Sequence, residues 1–303
     1  MTSNLAPIVL FVYNRPEHTR HTVDALRNNL LAEQSELFIF ADGAKKAEDI
    51  NKVNEVREYI GKITGFKRVV VKERKENYGL AKSVVSGVTE IVNQYKKVIV
   101  LEDDLITDKQ FLKYMNMGLD IYQDEPQVYS ITGYSYFREG LKDIDTCFLK
   151  ITSSWSWATW KDRWDQYDPE CKGWESLQRD HRLRKQFDYD YSYPYYRLLQ
   201  MQLKDAKINS WAIKWYWTVF KKGGLTLYPG VSLVQNAGFD GSGEHCGTKQ
   251  TNFQIYKQEN EIEKMKFENN IKENALIRKQ TAKAIYRKHG IMGKMQIMKD
   301  MLS

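Results

Sequence analysis

The stretch VIVLEDDLITDKQF, residues 98–111, decides how the chain is read. Four apolar residues run straight into three consecutive carboxylates, Glu102, Asp103 and Asp104. A short apolar run with a polar boundary has the length of a buried strand. Carboxylates this close repel one another, so a strand end that collects three of them needs a cation or a ligand to make the arrangement tolerable.

Working outward, strand-like and helix-like segments alternate. PIVLFVY (7–13) reads as a buried strand, and RPEHTRHTVDALRNNL follows with Pro16 suited to a first helical turn and Val23, Leu26 and Leu30 at helical spacing. LFIFA (37–41) is a second strand that stops at Asp42-Gly43, and a polar helical stretch (48–61) leads to a third, RVVVK (68–72). GLAKSVVSGVTEIVNQY (79–95) places Leu80, Val84, Val88 and Ile91 on one helical face. This alternation predicts an α/β fold, a parallel sheet with helices on both faces. Ligands of such sheets bind beyond the carboxyl ends of the strands. Asn14-Arg15, Asp42 and the acidic triplet all fall at such ends.

The second half differs. ITSSWSWATWKDRWDQYD, FDYDYSYPYYRLLQMQ and INSWAIKWYWTVFKKGGLTLYP are dense in Trp and Tyr, and NAGFDGSGEHCG is a glycine-rich polar loop. We expect a first lobe over 1–135, a second, aromatic-rich lobe over 136–254 and a basic helical tail over 255–303. The net charge is +7. Much of it lies in residues 278–303, where seven Lys and Arg residues face Asp300 alone. A basic tail on a nearly neutral body does not indicate a nucleic-acid-binding face. Ile291, Met295, Met298 and Leu302 share a helical face, which suggests peripheral contact with an anionic membrane; a Met stripe packed on the protein itself is the plainer alternative.

At 303 residues, 42% hydrophobic and 28% charged, the chain has the composition of a globular protein with a sizeable core. No apolar run approaches the ~20 residues of a membrane-spanning helix, and PIVLFVY lacks the flanks of a signal peptide. Cys147, Cys171 and Cys246 are an odd, widely spaced set, which argues against a disulfide framework or a cysteine zinc site and for a cytoplasmic setting.

The carboxylate cluster admits two readings. A solvated turn, with Asp103 or Asp104 capping a helix near Asp108, is the plain one. The buried strand ahead of it and the polar groups at the other strand ends favour a hard divalent cation, Mn2+ or Mg2+, held by one or two carboxylates and a substrate diphosphate.

VIVLEDDLITDKQFLKYM also resembles the strand–EDD–helix signature of inverting GT-A glycosyltransferases, of the N-acetylglucosaminyltransferase I type and their bacterial family 2-like relatives. APIVLFVYNRPEHTRHTVDAL, FADGAK, ENYGLAKSVVSGV and SSWSWATWKDRW fall in the order that family would place them, the last at the position of the loop and helix that cover the sugar. The resemblance implies a GT-A, Rossmann-like fold with a mostly parallel sheet. It implies metal binding by Asp104, ribose contact by Asp103, contact with the transferred sugar by Glu102, uracil recognition by Asp42 and nucleotide contact by Arg15. Lys82 is a further nucleotide-site candidate, and His245 a candidate metal ligand. The family's general base lies in a Trp-Asp-Asp stretch; here the comparable NSWAIKW has Ala212 and Ile213 instead. Asp240, Asp205 and Glu244 are the remaining candidates. Among the tryptophans, Trp155 and Trp157 are candidate sugar contacts.

The expected activity is transfer of a sugar from a UDP-sugar to a glycan or lipid-linked acceptor in bacterial surface polysaccharide or lipopolysaccharide synthesis, at or near the inner membrane face. A sugar-nucleotide nucleotidyltransferase is a rival, although FVYNRPEHTRHT lacks the glycine-rich phosphate loop that reading needs. A non-catalytic carbohydrate-binding protein is another.

Overall fold

The computed structural model describes residues 5–137, 141, 143–204, 208–238 and 265–287. Four strands, β1 (Ile8–Val12), β2 (Glu36–Ala41), β3 (Arg68–Glu73) and β4 (Lys97–Glu102), pair in parallel in the spatial order β3-β2-β1-β4. Between them run α1 (Pro16–Arg27), α2 (Ile50–Ile60) and α3 (Gly79–Tyr95). Side chains alternate across a strand, and β1 shows the result. Ile8, Leu10 and Val12 pack with Val23 and Leu26 of α1 and Val56 and Ile60 of α2. Val9 and Phe11 pack on the other face with Val84, Val88 and Ile91 of α3. The α/β fold read from the sequence is therefore present, with helices on both faces.

Most of the remaining strands extend the same sheet. β5 (Leu105–Thr107) leaves it to pair with β10 (Val234–Asn236) in a separate two-stranded ribbon. α4 (Phe111–Ile121) covers the α1 face. β6 (Val128–Thr132), β7 (Thr146–Leu149), β8 (Trp157–Trp160) and β9 (Leu225–Pro229) complete the order β3-β2-β1-β4-β8-β6-β9-β7. β8 runs antiparallel to β4 and β6, β9 parallel to β6, and β7 antiparallel to β9. β1–β4, β6 and β9 thus share one direction, and the sheet is mostly parallel.

Two sequence expectations need adjusting here. The EDD triplet is followed by β5 before the helix, because Leu105 and Thr107 are buried and Ile106 pairs opposite Gln235. The SSWSWATW stretch, expected as a loop and helix over a sugar, supplies a central strand. Trp157 faces α3 and α9 (Trp211–Lys221) while Trp160 faces α4.

The short helices α5 (Lys161–Trp164), α6 (Ser176–Arg179), α7 (His181–Phe187) and α8 (Tyr195–Leu203) build the second lobe with α9. Its core includes Leu177, Phe187, Leu199, Tyr216 and Trp217. α7 is followed, after Asp188, by three consecutive residues with left-handed backbone, Tyr189, Asp190 and Tyr191, at φ 48, 60 and 59°. Each such non-glycine residue costs about 1–3 kcal/mol. The stretch from 265 to 287 holds this turn. Arg278 ion-pairs with Asp190 and Glu273 and lies 4.6 Å over the Tyr189 ring. A helix over 275–287 buries Ile277, Ala282 and Ile285 in the lobe's core. The described part of the expected tail is thus packed into the body. Ile291, Met295, Met298 and Leu302 lie outside the described residues. No described helix is long and apolar enough to cross a membrane.

Candidate active site

The chain goes outward from β1 to β2 and β3, then α3 brings it back to place β4 on the other side of β1. The strand order reverses between β1 and β4, and such a switch point leaves a crevice at the carboxyl ends. Arg15 follows β1 and the acidic triplet ends β4, so both meet at that crevice.

Arg15 bridges the two aspartates. One guanidinium nitrogen donates to Asp104 Oδ2 at 3.1 Å, and the other pairs with Asp103 Oδ1. Side-chain exposure is 17% for Arg15, 5% for Asp103 and 9% for Asp104, so this is a nearly buried cluster. Burial works against the Arg15 charge, but Asp103 and Asp104 more than offset it and its pKa is raised. Burial also pushes Asp103 up; Arg15 pulls it down and Asp104 pushes it up again. Among the described residues, two buried carboxylates thus face the Arg15 guanidinium, with His18 adding a weaker pull on Asp103. Thr22 of α1 donates to the Asp103 carbonyl at 2.8 Å and locks the triplet's backbone to that helix. Glu102 is half-buried at the end of β4, opposite Phe11.

Asp42 is used differently. It lies buried after β2, and its carboxylate accepts from Tyr78 N–H at 2.8 and 3.1 Å, Gly79 N–H at 2.8 Å and Gly43 N–H at 3.1 Å. The first two belong to the start of α3, whose early N–H groups lack helical partners. Asp42 thus ties the end of β2 to the head of that helix. Gly43 permits the approach: a Cβ there would come within 2.6 Å of the Glu76 backbone. Lys82, one turn into α3, is exposed with its ammonium 4.0 Å from the Tyr78 ring centre.

Sequence reading missed the support of the loop after β1. Tyr13 Oη and Asn14 Nδ2 donate to the two oxygens of Asp49, both at 2.8 Å. Burial pushes the Tyr13 hydroxyl up to about 12. These hydrogen bonds, Tyr13 foremost, hold the Asp49 carboxyl below its usual range. No local pattern links positions 13 and 49, so nothing in the sequence could have signalled it.

Asp104 is also approached from β10. Ala237 N–H donates to its carbonyl at 2.7 Å, and a side-chain carbon at Gly238 would overlap Oδ2. Glycine is needed at 238 because the backbone runs against that carboxylate. The polar loop that follows, with Asp240, Glu244 and His245, lies outside the described residues, as does Asp205. No group of three or more His, Cys, Asp or Glu able to hold a metal occurs among the described residues. The donors present still fit a hard cation: the oxygens of a buried carboxylate pair suit an ion that completes its shell with substrate phosphate.

A cleft of about 300 Å3 opens in the second lobe. Tyr134, Tyr136, Trp155, Tyr193, Tyr195 and Tyr216 form most of it, and Ser153, Ser154 and Ser210 add hydroxyls. Tyr134 follows β6 and Trp155 precedes the reversed strand β8, so the cleft lies on the same sheet edge as the carboxylates. Residues 232–238 run between the two. Ser232 Oγ accepts from Ser135 N–H at 3.1 Å, and Leu233 N–H donates to the Gly133 carbonyl at 2.7 Å before the chain reaches Asp104. Ala212 and Ile213 stand in the cleft wall, so the start of α9 contributes no acid there. Trp155 is the sugar-contact candidate that reaches the cleft. Trp157 does not: it is buried, stacked on Trp211 at 5.0 Å, because β8 turns it into the core.

No family model matches the chain, and no curated protein matches its sequence. Among solved structures it is similar to the mannosyltransferase PcManGT from Pyrobaculum calidifontis, solved with GDP-Man and Mn2+. The identity is 11% and the TM-score 0.37, over 52% of this chain and 48% of that one. It is also similar to S. aureus TarS, at 13% identity and a TM-score of 0.34, over 47% of this chain and 24% of that one. For TarS 1–349 the values are 13%, 0.37, 52% and 47%. The matched region spans about half or less of each of these proteins, and the likenesses assign no substrate, cofactor or activity to this chain.

Proposed function

We propose that the chain is a metal-dependent, inverting glycosyltransferase that moves a sugar from a UDP-sugar to a glycan or lipid-linked acceptor in bacterial surface polysaccharide or lipopolysaccharide synthesis. The observation that carries this reading is the meeting of Arg15, Asp103 and Asp104 at the switch point between β1 and β4. Asp104 would hold Mn2+ or Mg2+, with His245 as a further candidate ligand. When bound, the ion supplies positive charge that stabilises the leaving nucleoside diphosphate. Arg15 offers a guanidinium to phosphate oxygens, which it matches in geometry. Asp103 would orient the ribose and Glu102 the transferred sugar. Asp42 already accepts three backbone N–H groups, one of them shared between its two oxygens; a uracil N–H would share one of these oxygens with them. With Ala212 and Ile213 in the cleft wall, the general base falls to Asp240, Asp205 or Glu244. Peripheral membrane contact belongs to the same reading, and the exposure of Lys279, Lys283 and Arg287 on the helix over 275–287 supports it.

Calorimetry with UDP, with and without Mn2+, tests the reading, with GDP as the competitor base. Wild type should bind UDP more tightly with Mn2+ present, and Asp104→Ala should lose that gain while keeping its fold. Unchanged UDP affinity in Asp104→Ala with Mn2+ present would sink the metal assignment, and equal binding of GDP would sink the uridine one.

A further inference from the structure

The tyrosine-lined cleft has a composition that narrows what can occupy it. Among the described residues that line it, none carries a charge. The aromatic members are tyrosines with one tryptophan, each an apolar ring with a polar tip. Tyr134 meets Trp155 edge-on at 4.8 Å and Tyr136 at 5.1 Å, while Tyr195 meets Tyr216 edge-on at 5.0 Å. These edge contacts fix the rings before any ligand arrives. Burial pushes the Tyr136 hydroxyl up to about 12 and holds Tyr195 and Tyr216 well above the ordinary phenol value, so all three are uncharged near pH 7; the Tyr216 hydroxyl donates to the Phe187 carbonyl at 2.8 Å, which fixes that ring in the wall. Ser153 and Ser154 precede Trp155 on one side, and Ser210 caps α9 on the other. A volume of about 300 Å3 is at the lower end for ligand sites, which run ~300–1,000 Å3.

Such a wall suits a molecule with apolar C–H faces and many hydroxyls. It does not suit an anion, which would find no cation within the described lining and would lose its hydration on entry.

We propose that this cleft binds a neutral sugar ring, and that the acceptor enters the site through an uncharged saccharide rather than through a uronic acid or a diphosphate headgroup. The word acceptor rests on the transferase reading; saccharide binding in the cleft does not. A lipid-linked acceptor would then present its neutral terminal sugar here and keep its diphosphate outside.

Saturation-transfer NMR on the full chain, without nucleotide or metal, tests this with methyl glucoside, methyl galactoside, N-acetylglucosamine and glucuronic acid. At least one neutral sugar should show saturable binding, with glucuronic acid about tenfold weaker or worse, the loss expected for an unpartnered charge. Ala212→Phe, in the second position of α9, should fill the cleft and abolish the signal while thermal melting stays at the wild-type value. Tyr193→Phe, which removes one hydroxyl and keeps the ring, should weaken binding only a few-fold. The proposal is overturned if no neutral sugar saturates, if glucuronic acid binds as well as the neutral sugars, or if binding survives Ala212→Phe. Saccharide binding without UDP binding would leave the cleft standing and remove the transferase; UDP binding without saccharide binding would do the reverse.

Discussion

Replacing Asp42 with alanine should destabilise the fold whether or not the protein binds a nucleotide. The carboxylate is buried and receives Tyr78 N–H at 2.8 and 3.1 Å and Gly79 N–H at 2.8 Å, at the point where α3 begins. Hydrogen bonds to a carboxylate contribute ~1.5–3 kcal/mol each, and loss of an N-terminal cap costs ~0.5–2 kcal/mol. Taking the low end for each of two orphaned N–H groups gives a loss of about 3 kcal/mol. In a chain of this size that lowers the melting temperature by about 6 °C. Asp42→Asn keeps one acceptor oxygen and should lose about half as much. Circular-dichroism melts of both variants without nucleotide give the comparison, and amide exchange at Tyr78 and Gly79 gives the local readout. An alanine variant that melts within about 1 °C of wild type, with those two amides still protected, would refute the reasoning. If Asp42→Asn keeps most of its stability but loses UDP affinity, the capping and base-reading roles are separable.

Asp188 gives a pH-dependent test. Burial, opposed by the Tyr196 N–H bond and by Arg184, raises its pKa from 3.8 to about 6. An acid raised on folding binds its proton more tightly in the folded state, so its stabilising contribution is present below about pH 4 and is lost as pH rises through about 6. Above pH 6 the buried charge costs about 3 kcal/mol. Asp188→Asn keeps an oxygen for Tyr196 N–H, now 2.7 Å away; it should melt about 6 °C higher than wild type at pH 7.5, with the gap closing at pH 4. A gap independent of pH would refute the assignment. Arg278→Ala should cost about 2 kcal/mol through the lost ion pairs and ring contact. It should also speed proteolysis at 189–193, and an unchanged cleavage pattern there would show that Arg278 does not hold the turn.

The first half of the fold was legible because its signals are local. β1 is a short, wholly apolar strand, β4 is apolar between Lys97 and Glu102, α3 has a clean helical face, and polar residues stand at the strand ends, so the switch point could be anticipated from sequence. The second half was not. In β8 the tryptophans alternate across both faces of the sheet, and a strand of that kind resembles an aromatic loop until its partners β4 and β6 are known. Arg15 and the aspartates were each identified, but their direct pairing depends on packing between residues nearly ninety positions apart. The same holds for Asp42: its type and position suggested a ligand contact, and only the bonds it receives from Tyr78 and Gly79 N–H reveal that α3 uses it. The tyrosine cleft gathers residues from four separate stretches, which no pattern in one dimension reports.

The contact between Arg278 and the left-handed turn at Tyr189–Tyr191 sets an order in biosynthesis. β1–β4 and their helices are complete once residue 102 has left the ribosome. The turn needs a side chain added almost ninety residues after it, which at ~5–20 residues per second is roughly 5–20 s later. Until then the strained backbone lacks its clamp, and the tyrosines that follow it have no fixed frame. On the nascent chain, the carboxylate edge can therefore take shape well before the aromatic wall beside it.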